Sequence, residues 1–79
     1  MSPTIFKERG LRFYFFSREE TRLHVHVQGE RGEAKFWLEP EIELAQDFGL
    51  GQVSVRTALR VIRERENEIR AAWKKHFPR

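Results

Sequence analysis

Two short stretches constrain this chain more than any others: Leu23-His24-Val25-His26-Val27 and, past Gly29 and Gly32, Glu33-Ala34-Lys35-Phe36-Trp37-Leu38. Each alternates apolar and polar residues with period two, the pattern of a strand with one buried face. The glycine-bounded turn between them is short enough to make them antiparallel neighbours. Leu23, Val25, Val27, Ala34, Phe36 and Leu38 then share one face. His24, His26, Glu33, Lys35 and Trp37 share the other. A function is expected on that second face.

The flanking segments extend the same plan. Residues 4–6 can form a first strand after Pro3, and residues 7–10 read as a turn with Gly10 free to take a positive φ. Residues 11–16 read as a second strand, with Leu11, Phe13 and Phe15 on one face and Arg12, Tyr14 and Phe16 on the other. Residues 17–22 are polar and read as a loop. Residues 41–46 are ambiguous: Ile42 and Leu44 alternate, while Ile42, Ala45 and Phe48 stand at helical spacing behind Pro40. The strand is favoured here. The rival, a helix continuing through Gly49 and Gly51 into a helix-turn-helix, would need a recognition helix of unusual length.

One long helix is expected over about residues 55–76, capped by Ser54 and ended before Pro78. Val55, Leu59, Ile62, Ile69, Trp73 and Phe77 form its apolar stripe, widened by Ala58 and Ala72. The sheet's apolar face is the large surface that can receive it. The expected fold is therefore α+β: an antiparallel meander of three to five strands within residues 4–46, covered on one face by one long C-terminal helix. With 79 residues the chain is read as one domain with a small core.

With the helix on one face, Arg12, Tyr14, Phe16, His24, His26, Lys35 and Trp37 are left on the uncovered one. Rings beside cations suit single-stranded nucleic acid, whose bases stack and whose phosphates meet positive charge. The same patch also suits a protein partner or a second copy. Arg56, Arg60, Arg63, Arg70 and Lys74 add a basic stripe flanking the helix's apolar one, suited to a nucleic-acid backbone or an acidic partner, or else a solvated face whose arginine stems cover the core edge. Fifteen Lys and Arg against twelve Asp and Glu give a net charge of +3, which favours a polyanion partner only weakly until the charges are located.

The spacing His24-x-His26 puts two imidazoles on one strand face, suited to acid–base cleavage of RNA with Lys35 or Arg12 supporting the phosphorane. The spacing alone is a weak signal, and two half-exposed strand histidines stacked against Tyr14 and Trp37 are its commoner outcome. A metal would need a third ligand from Glu33 or His76, and no metal or cofactor is expected. There is no Gly-rich phosphate loop, nucleophile elbow or carboxylate pair of recognisable spacing. The absence of cysteine excludes disulfides and thiolate metal sites. No apolar run approaches a membrane span and no signal pattern opens the chain, so a soluble cytoplasmic protein is expected.

Pro3-Thr4-Ile5-Phe6, Arg12-Phe13-Tyr14-Phe15, His24-Val25-His26-Val27, Ala34-Lys35-Phe36-Trp37-Leu38 and the closing Ala72-Trp73 to Phe77 together resemble the bacterial domain of unknown function 4160 family. The family's pattern has two prolines before the His-Val-His-Val core, where this chain has Arg22 and Leu23. The resemblance implies a small bacterial protein encoded beside a partner in toxin–antitoxin-like arrangements. It raises the nucleic-acid or ribonuclease reading, and it supplies no established activity and no catalytic residues. The reading is thus a small basic RNA-binding component of such a pair. The alternatives are a protein-interaction or homodimer module and a metal-free ribonuclease using His24 and His26.

Overall fold

The structure, a computed structural model, describes residues 4–16 and 22–77. The expected Pro3 strand entry, the loop over residues 17–21 and the Pro78 helix stop lie outside the described residues. Five strands follow in chain order: β1 (Thr4–Glu8), β2 (Leu11–Tyr14), β3 (His24–Gln28), β4 (Glu33–Trp37) and β5 (Glu43–Phe48). They form one sheet in the order β1-β2-β3-β4-β5, every ladder antiparallel. The alternation of residues 23–28 and 33–38 is realised directly. Val25 faces Phe36 and Val27 faces Ala34 on the core side, while His24 faces Trp37 and His26 faces Lys35 on the other.

The ambiguous segment is a strand, which removes the helix-turn-helix alternative, and it extends to Phe48 rather than ending by residue 46. Gly32 helps to seat its end. A Cβ at Gly32 would lie 2.4 Å from the Phe48 carbonyl oxygen, so the chain can pass there only without a side chain. The first strand also runs further than the sequence indicates, through Glu8. The turn is the pair Arg9-Gly10 alone.

The core forms between the sheet and the helices. Phe13, Val25, Val27 and Phe36 meet Ala58, Val61, Ile62 and Ile69, all fully buried. Burying each of the larger side chains contributes about 1.5–3 kcal/mol. The expected apolar stripe packs here, Val55, Leu59, Ala72, Trp73 and Phe77 at its margins, and Val61 joins it.

The single long helix is corrected to two, α1 (Gln52–Glu64) and α2 (Glu66–His76). Arg65 leaves helical geometry, with φ −118° and ψ 28°, although its N–H still reaches the Val61 carbonyl at 2.9 Å. Residues 63–68 are all polar, so no apolar side chain holds this middle turn to the sheet. The side chain of Arg65 instead crosses to β1, where it pairs with Glu8 and lies 3.6 Å from the centre of the Phe6 ring. The start of α1 is also corrected. Gly51, with φ 98°, occupies the cap position without a side-chain hydrogen bond, and Ser54 lies inside the first turn. Among the described residues, no helix is long and apolar enough to cross a membrane.

Candidate nucleic-acid interface

The strand registers bring the expected face together. Tyr14, His26 and Lys35 form one cross-strand row, and His24 and Trp37 form the next. Arg12 stands beside Gln28 in the row before. What the pairing pattern alone does not reveal is how far these side chains close over one another. Tyr14 is 3% exposed, His26 8% and His24 0%.

Each ring is held by its neighbours. The Tyr14 and His26 rings stack at 5.4 Å, and Phe16 packs edge-on against both. His24 lies edge-on to Trp37 at 5.7 Å and to Trp73 of α2 at 5.2 Å. The Arg22 carbonyl stands 2.6 Å from His24 Nδ1, and since a carbonyl can only accept, Nδ1 carries a proton. Arg12 donates from Nε to Thr4 Oγ1 and from Nη1 to Gln28, its guanidinium 4.4 Å from the Tyr14 ring centre. The Tyr14 hydroxyl donates to the Glu33 carboxylate. Burial, then that hydrogen bond and the Glu33 charge, push its phenol well above the ordinary tyrosine value, against an opposing pull from Arg12.

Magnitudes decide which of these residues a base can reach. Stacking on a ring gains about 1–3 kcal/mol per base and requires an open ring face. Trp37 is half-buried and carries Arg22 at 4.0 Å and Lys35 at 4.5 Å from its centre. Displacing such cations costs about 0.5–1 kcal/mol each at exposed sites, so Trp37 can still exchange a cation for a base. Phe16, 40% exposed, is also accessible. Tyr14, His24 and His26 offer no such face. A histidine at 0% exposure presents no nitrogen to a phosphodiester, so the acid–base arrangement gains no support from the geometry. Among the described residues no group of three or more His, Asp or Glu side chains could hold a metal. Of the suggested third ligands, Glu33 accepts from Tyr14 and His76 packs against Phe15 and Phe77.

The helical arginines divide into two sets. Arg70 is not an open cation: it pairs with Glu66 at 2.8 Å and donates to the Leu38 carbonyl. With the exposed Arg63 it lines a cleft that also holds Glu41 and Glu66. Lys74 is exposed near the end of α2. Arg56 and Arg60 are exposed, and with Arg9, Val53 and Thr57 they line a cleft of about 170 Å³ without a carboxylate among the lining residues. Arg9 also borders a neighbouring cleft with Arg31 and Glu30. Sequence reasoning assigned Arg9 to a turn and missed this convergence. The available signal was its place before Gly10, a two-residue hairpin position that favours Asn, Asp or Gly.

The family model for a domain of unknown function, DUF4160, matches residues 10–74, most of the chain. No curated protein and no solved structure matches significantly. The chain belongs to the DUF4160 family.

Proposed function

We propose that this DUF4160 protein is a small nucleic-acid-binding module, with single-stranded RNA as the favoured ligand, acting within a toxin–antitoxin-like pair. The observation that carries the reading is the convergence of Arg9, Arg56 and Arg60 on one cleft without a lining carboxylate. Guanidinium groups grouped this way repel one another, and an oxyanion relieves that repulsion while accepting their forked N–H donors. Trp37 and Phe16 remain as accessible rings for bases, whereas Tyr14, His24 and His26 become the scaffold beneath them. The pairing with a partner protein rests on the family resemblance alone.

Binding of a labelled single-stranded RNA pool at low and moderate salt tests the reading. Affinity is expected to fall steeply with salt, and the Arg56→Gln/Arg60→Gln double variant should flatten the slope by about one to two. The RNA should remain intact on a denaturing gel. Absence of binding at low salt would remove this function. It would leave the protein-interaction alternative, which one observation favours: β5 is an edge strand carrying the exposed Leu44 and Phe48. Its own check is the solution mass of wild type beside Phe48→Lys, a monomer in both ending the case for self-association.

A further inference from the structure

Resting on that reading, we infer that the Arg9–Arg56–Arg60 cleft is a pocket for a terminal phosphate monoester, the phosphorylated end of a strand rather than its internal backbone. Three features converge on this assignment.

The first is the donor set. Thr57 Oγ1 donates to the Val53 carbonyl inside the helix at 3.1 Å, so its proton is committed. The other polar groups in the lining are the three guanidiniums. Such a lining distinguishes by charge and by number of free oxygens. A monoester carries close to two negative charges at neutral pH and three unbridged oxygens, against one charge and two oxygens for an internal diester. Three forked cations match the monoester.

The second is the placement of Arg9. Its φ is +54° and that of Gly10 is +77°, the two positive values a type I′ hairpin turn requires. Arginine is a poor choice at the first of these positions, where Asn, Asp or Gly relieve the backbone. The gain lies in the side chain, which this turn projects beside Arg56 and Arg60. Glu8 holds it loosely at 3.7 Å, its other carboxylate oxygen being taken by Arg65. Neither Arg56 nor Arg60 has an ion pair among the described residues.

The third is Val53, 74% exposed in the same lining. An apolar wall beside an oxyanion pocket suits the sugar or base of a terminal nucleotide, which a free inorganic ion would leave unused.

The test compares one single-stranded RNA sequence carrying a 5′-phosphate, a 3′-phosphate or hydroxyls at both ends, by fluorescence anisotropy at fixed salt. One phosphorylated end should bind about tenfold more tightly than the hydroxyl form, the effect of an added charge-assisted contact. That advantage should vanish in Arg56→Gln and in Arg60→Gln, whose exposed side chains contribute no ion pair to the fold. The arm that gains identifies the end recognised. Equal affinity of all three RNAs would overturn the pocket while leaving nucleic-acid binding intact. An advantage that persists in both variants would also overturn it. Failure of every RNA to bind would remove the pocket and the proposed function together.

Discussion

Tyr14 is the chain's only tyrosine, so its phenol can be followed without interference. It is buried, stacked on His26 and bonded to Glu33, and ionising it would strand a second negative charge against that carboxylate. In the folded protein, phenolate absorbance should therefore fail to develop around pH 10, the ordinary tyrosine value. Because the folded value is raised above the unfolded one, the associated stability is complete below about pH 10 and is lost as pH climbs towards the folded value. Tyr14→Phe should cost about 1 kcal/mol near neutral pH, since exposed Glu33 can recover water, and should abolish this alkaline loss. A phenolate signal at the ordinary pH, with circular dichroism unchanged, would show that the ring is not held as described.

Among the elements, the helical pair depends most on a single side chain. Arg65 joins Glu68 within α2, Glu8 on β1 and the Phe6 ring, fastening the break in the helix to the outermost strand. Arg65→Ala should lower the denaturation midpoint, and amide exchange should accelerate in β1 before β3. Uniform acceleration across the sheet would argue against this local role. The same region marks where sequence reading stops. The strands were legible because period-two alternation follows from which face is buried. The helix break was not, because neither proline nor glycine announces it. At the break a cation reaches fifty-seven residues back along the chain, and the local trace is the polar run 63–68. At the candidate site, facing partners followed from alternation. The closure over His24 did not, because Trp73 arrives from α2, almost fifty residues away in sequence.

Over the whole molecule, a net charge of +3 says less than its distribution. Acidic Glu43 and Asp47 lie on β5, while Arg9, Arg56 and Arg60 gather where the first hairpin meets α1. A group of cations of this kind orients an approaching polyanion before contact. One of these cations, Arg9, sits in the left-handed region, which strains a residue that carries a Cβ. Arg9→Asn should raise stability by about 0.5–1 kcal/mol, through a backbone better suited to that turn and one repulsive charge fewer. It should also weaken RNA binding, so that denaturant midpoint and affinity move in opposite directions. A midpoint that falls would show that the arginine supports the hairpin. Under selection for foldability alone, a mutant population would then drift away from arginine at this turn, and under selection for binding it would be held there. Competing the two regimes on one library would let position 9 reveal which demand its residue answers.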